Sequence, residues 1–214
     1  LPIIYLLSLW SIPTTSGKIF TARKAFVQLD DLNFHYPNHY MTNLVRGLYY
    51  RLKARMVSLS SESDYDNAIK YLDISINQSR NGAKNMSSEP LAKKIYEETL
   101  KTTAYFKESY QDFSGAISYY NELIDLYKNE NKMDRLAENL DNKIRNYLLI
   151  GNYEGAIDLG FQLEKTSKRM STSEKKLQTS LKSSLHIAHA YIDKGEEEVG
   201  LELLKEHEFK NKKN

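Results

Sequence analysis

Apolar positions recur at helical spacing along most of the chain. Between 113 and 127, Phe113, Ala116, Ile117, Tyr120, Leu123, Ile124 and Tyr127 form one unbroken stripe at the α-helical period. Tyr65, Ala68, Ile69, Leu72 and Ile76 repeat it upstream. Leu136, Leu140, Ile144, Tyr147 and Leu148 predict a helix over 132–150. Leu177, Leu181, Leu185, Ala188, Tyr191 and Ile192 predict another over 174–194, with these residues as its core-facing stripe. Near the N-terminus, Ala25, Phe26, Leu29, Leu32 and Tyr36 suit a helix that ends before Pro37. Leu44, Leu48, Leu52, Met56 and Leu59 mark the next one.

The polar residues between these stripes supply starts and stops. Asp64, Asp112 and Asn152 stand where a side-chain oxygen accepts from the first exposed N–H groups of a helix. Ser171 and Glu174 have the spacing of a capping box, and Ser88-Glu89-Pro90 predicts the start of a helix running through 108. Gly151 and Gly195 follow predicted helices at the position that favours left-handed backbone. The segments 80–88 and 128–134 are predicted loops.

The stripes repeat. DYDNAIKYLD at 64–73, DFSGAISYYN at 112–121, NYEGAIDLGF at 152–161 and EEEVGLELLK at 196–205 align without gaps. Their small residues are Ala68, Ala116, Ala156 and Gly200, roughly 44 residues apart, room for two helices in each unit. A small side chain at that position lets two antiparallel helices approach closely. Tyr147, Gly151, Tyr153 and Ala156 then fall in the order of aromatic, glycine, aromatic and alanine that marks the tetratricopeptide repeat. Tyr191, Gly195 and Gly200 match it in part, with Glu197 where an aromatic is expected. Tyr65, Ala68 and Leu72 match its later half, as do Phe113, Ala116 and Tyr120. Over about 50–206 the chain resembles that family, although the family period is about 34 residues. The resemblance implies an all-α fold, a right-handed superhelical array of antiparallel helix pairs with about four long repeats at 41–209. Residues 18–40 would form an N-terminal capping helix and 210–214 a tail.

Composition narrows the chemistry. Nine Gly and four Pro in 214 residues are too few for the many turns of an all-β sandwich. A net charge of +2 supplies no strong basic field for nucleic acid. With no cysteine, disulfides, cysteine-based zinc sites and thiol nucleophiles are excluded. No phosphate-binding glycine loop, GxSxG or HExxH occurs. Ser173 and Lys176 have SxxK spacing at a predicted helix start, where capping accounts for them. His186 and His189, with the distant His35 and His39, read as ordinary histidines rather than metal ligands. No cofactor or metal is expected, and no segment reads as a membrane-spanning helix. Asn77-Gln-Ser79 and Asn85-Met-Ser87 are glycosylation sequons, relevant only to a secreted eukaryotic protein. Residues 1–17 have the form of a signal peptide, or of an apolar segment packed on the domain. The first form predicts export to the periplasm or cell envelope, the second a cytoplasmic protein.

The resemblance also implies a role. First helices of such pairs line a concave groove that accepts a protein or peptide. Carried onto this chain, the groove positions are Tyr50, Lys53, Lys101, Tyr105, Glu108, Asp141, Arg145 and His189. Lys53, Lys101 and Arg145 would meet a carboxylate, and Tyr50 and Tyr105 an apolar side chain. The expectation is a non-catalytic binding module, similar to the exported sensor or scaffold regions of bacterial regulators. A cytosolic peptide-responsive regulatory domain is the alternative, and a helical hydrolase a distant one.

Overall fold

The computed structural model describes residues 62–84 and 90–211. Every regular element among them is an α-helix: α1 (Glu62–Lys84), α2 (Pro90–Ser109), α3 (Phe113–Asn129), α4 (Met133–Leu149), α5 (Tyr153–Ser167), α6 (Ser173–Lys194) and α7 (Glu197–Asn211). The expectations for residues 1–61 lie outside the described residues, including the signal-like segment, the capping helix, Tyr50 and Lys53. The chain divides into two compact units, Leu1–Thr99 and Leu100–Asn214, with α2 crossing the division.

In the first unit Ala68, Leu72 and Ile76 of α1 are buried, as the stripe predicts. Arg80 reaches Tyr96 of α2, donating from Nε to the phenolic oxygen at 3.1 Å. The predicted cap Asp64 instead lies within the first turn of α1, and that helix continues through the predicted 80–88 loop as far as Lys84. The second expected loop is also shorter, because only 130–132 separate α3 from α4.

In the second unit, helices α3, α4, α5 and α6 begin at Phe113, Met133, Tyr153 and Ser173, a constant step of 20 residues. The turn chemistry repeats as well. Gln111, Asn131, Gly151 and Gly195 all have positive φ, between 56° and 95°. In each turn this residue's N–H bonds the carbonyl three back, and the next N–H bonds the carbonyl five back; at Gly151 the pairs are Gly151 to Leu148 and Asn152 to Tyr147. These are Schellman closures, which satisfy the last carbonyls of one helix while turning the chain. The next helix begins two residues after the left-handed one. Asp112 and Asn152 cap there by accepting from the N–H groups of Gly115 and Gly155. The α5–α6 junction is different, and its cap is Thr172, accepting from Lys175, one residue later than the predicted Ser171.

Packing follows chain order: α3 on α4, α4 on α5, α5 on α6, and α6 on α7, with a further contact between α4 and α6. The small positions Ala116, Ala156 and Gly200 are buried as predicted. So are Tyr120, Leu123 and Tyr127 of α3 and Leu136, Leu140 and Ile144 of α4.

The predicted core stripe of α6 holds at its C-terminal end, where Ala188 is buried and Tyr191 and Ile192 are half-buried, but its three leucines are not in the core. Leu177, Leu181 and Leu185 are exposed at 53%, 38% and 50%. Toward the N-terminus the buried face carries Thr179, Ser183 and Ile187 instead, joined further along by Ala190 beside the predicted Ala188. Close approach to α5 decides this. A Cβ on Gly160 would stand 2.4 Å from Cγ1 of Ile187, and Ser183 donates its hydroxyl to the Gly160 carbonyl at 2.6 Å. Leucines on that face would hold the two helices apart.

Candidate binding face

Helices α2, α4 and α6 are joined by side chains at nearly constant sequence offsets. From α2, Lys101 approaches Glu138 at 3.9 Å, Tyr105 accepts from the Asn142 amide at 3.3 Å, and Glu108 accepts from the Asn146 amide. From α4, Asp134 pairs with Lys175. Asp141 pairs with Lys182 at 3.4 Å and His186 at 2.7 Å. The partners advance together along all three helices, so these residues lie in one band.

The band holds five of the predicted groove residues: Lys101, Tyr105, Glu108, Asp141 and Arg145. Arg145 is exposed and donates to Asn142, which also holds Tyr105. His189 stands apart. It lies 3.3 Å from Asp193 on its own helix, while His186 makes the contact across to α4. The sequence reading missed Glu138, Asn142, Asn146, Lys175, Lys182 and His186. Asn142 and Asn146 are buried, although amides on a helix usually face water. Their signal is the offset of 37 or 38 residues to a polar partner, visible only once the register of α2 on α4 is known.

Burial sets the electrostatics. It pushes the Asp141 carboxyl up, but the His186 hydrogen bond and the charges of Lys182, His186 and Arg145 outweigh it and hold Asp141 below the usual carboxylate range. Burial raises the Tyr105 phenol, helped by Glu138 and Glu108 and opposed by the Asn142 hydrogen bond. Tyr120, edge-on to Tyr105 at 6.3 Å, is pushed far up by burial and the neighbouring Glu108 charge. Both phenols are therefore neutral donors or acceptors at physiological pH.

Two clefts open on this region. One of about 200 Å³ lies between α4 and α6, floored by Ala137, Leu163 and Met170 and walled by the Asp134, Asp141, Lys175 and Lys182 groups. The other, about 410 Å³, is bordered by Lys132, Arg135 and Arg169 at the start of α4. Asp134 borders both. Among the described residues, no group of three or more His, Asp or Glu side chains is placed to hold a metal ion. Likewise among them, no helix is long and apolar enough to cross a membrane. No protein-family model matches the chain, and no curated protein matches it.

Proposed function

We propose that the chain is a non-catalytic module that binds an acidic peptide or protein segment along the α2–α4–α6 band. In this reading the helices form a right-handed superhelical array of antiparallel pairs, as the tetratricopeptide resemblance implies. The band is then the concave face built from first helices. The constant-offset bridges from α2 to α4 and from α4 to α6 carry the reading, because they line up alternate helices in one polar surface. The ligand's charge follows from depth. Asp141 sits low, while Lys182 and Arg145 are exposed, and the separate cleft at the start of α4 is bordered by the basic Lys132, Arg135 and Arg169. Tyr105 offers an exposed ring for an apolar residue of the same ligand.

The test is fluorescence anisotropy with a labelled glutamate-rich peptide carrying one leucine. Lys101→Glu combined with Arg145→Glu should weaken binding roughly tenfold or more, about 1.4 kcal/mol, with the helical circular dichroism spectrum retained at the assay temperature although the melting temperature falls, because Lys101 is only 15% exposed beside Glu138. Equal affinity for wild type and double variant would remove the band from consideration. Export belongs to the same proposal and has its own measurement, the intact mass of the protein from its native host. A mature chain starting near Gly17 would support an envelope role, and retention of residues 1–16 the cytosolic regulator.

A further inference from the structure

Helices α4 and α6 face each other in a ladder with a constant offset of 41 residues. Asp134 pairs with Lys175 at one rung and Asp141 with Lys182 at another. By the same offset the middle rung sets Glu138 against Thr179, and all six residues line the cleft of about 200 Å³ between the two helices. A threonine cannot reach across as a lysine does, so the middle rung has a carboxylate on α4 and no ammonium opposite it. Thr179 is only 9% exposed, and among the described residues its hydroxyl has no hydrogen-bond partner, whereas Thr166 and Ser184 bond the carbonyls four residues back. A buried hydroxyl without a partner costs free energy that a ligand in the cleft would restore. Glu138 also has capacity. Its Oε2 accepts from Arg135 at 3.1 Å, an exposed pair of the kind that contributes little, while Oε1 has Lys101 no nearer than 3.9 Å, too far for a hydrogen bond. Neither Arg135 nor Lys101 lines the cleft, and within it three carboxylates meet only two ammonium groups.

We propose that this cleft binds a primary ammonium group on a short alkyl stem, which completes the middle rung as Lys175 and Lys182 complete the outer two. The ammonium donates to the Glu138 carboxylate and to the Thr179 hydroxyl. Its stem lies on the apolar floor of Ala137, Leu163 and Met170. At about 30 Å³ for each water-sized group, the cleft suits a nitrogen carried on a stem of about four carbons. Small aliphatic amines have this chemistry, and so does a lysine side chain presented by a peptide. The inference goes beyond acidic-peptide binding on the α2–α4–α6 band and does not depend on it.

Amide chemical-shift mapping by NMR on the isotope-labelled full chain, titrated with n-butylammonium, tests it. Saturable shifts at Glu138, Leu163 and Thr179 are expected, with a millimolar dissociation constant suited to so small a ligand. Butanol, which has the stem without the charge, should bind roughly tenfold more weakly. Glu138→Gln should weaken n-butylammonium by a similar factor with the helical circular dichroism spectrum retained. Thr179→Lys, which supplies the middle rung from the chain itself, should abolish the shifts; Glu138→Gln carries the test if that variant does not fold. Absence of saturable shifts in the cleft overturns the proposal, as does butanol binding equal to that of n-butylammonium, or a folded Glu138→Gln with wild-type affinity. A capped lysine amide separates the two sources: tighter binding than n-butylammonium upholds the site as one for a peptide lysine, and weaker binding upholds it as one for a free amine.

Discussion

Helices α4 and α6 start 40 residues apart, yet they treat equivalent places in opposite ways. On α4, Ala137 is 4% exposed and the Asp141 side chain 15%, and they meet another helix through a small side chain and a charge. On α6 the same places carry leucine and face water. The difference shows that hydrophobicity alone does not choose the buried face of a helix. Close packing does, and it selects small residues where backbones approach. Gly160 beside Ile187 and Gly200 beside Ile192 and the Ala188 carbonyl are the two such approaches around α6. A Cβ on Gly200 would stand 2.7 Å from that carbonyl oxygen, a backbone atom that cannot step aside as a side chain does.

The strongest way to break the comparison is to put the same large residue on both surfaces. Ala156→Trp overpacks a fully buried position and should cost about 1–3 kcal/mol or more. Leu181→Trp, on the exposed face, should leave monomer stability within about 0.5 kcal/mol. Chemical denaturation of the two variants reads the contrast, and equal losses would mean that the exposed face is packed after all.

Next in size is the charged pairing across the α4–α6 contact. Asp141→Asn keeps the shape but removes the charge that holds Lys182 and His186, and a loss of about 1–2 kcal/mol at neutral pH is expected. The sign of the pH effect follows from the lowered Asp141 pKa. Its stabilisation is fully present above the unfolded carboxyl value near 3.9 and is lost as pH falls through the folded value. Asp112 acts in the same direction, held down first by its hydrogen bond from Lys107 and then by the Gly115 N–H. Melting temperature against pH should therefore fall less steeply below about pH 4 in Asp141→Asn than in wild type. Parallel curves would show that the pair contributes nothing to folding.

The smallest effect sharpens the contrast from the other side. Leu185→Gln should change monomer stability by no more than about 0.5 kcal/mol, because it buries little. A thermal melt at low protein concentration checks this, and a loss comparable to that of Asp141→Asn would place Leu185 in the monomer's core.

Among the described residues, the helices, their order and most of their ends were legible in the chain itself. The 3.6-residue period, Asp112 and Asn152 as caps, and glycine at 151 and 195 act within a few residues of chain, so they are legible without a fold. Gln111 and Asn131 take the same left-handed turn as the two glycines and passed unseen: nothing local about a glutamine announces positive φ, and Asn131, a residue type that adopts it readily, fell inside the longer loop expected at 128–134. Five residues of the α2–α4–α6 band, among them Tyr105 and Arg145, were picked out by their place in the sequence alignment of the segments. Their partners Asn142, Asn146 and His186 were not, since each is defined by a side chain 37 to 45 positions away. The tertiary structure alone decided which face of α6 is buried. Its leucine and small-residue stripes both run at helical period, and only the approach of α5 at Gly160 makes the smaller one fit.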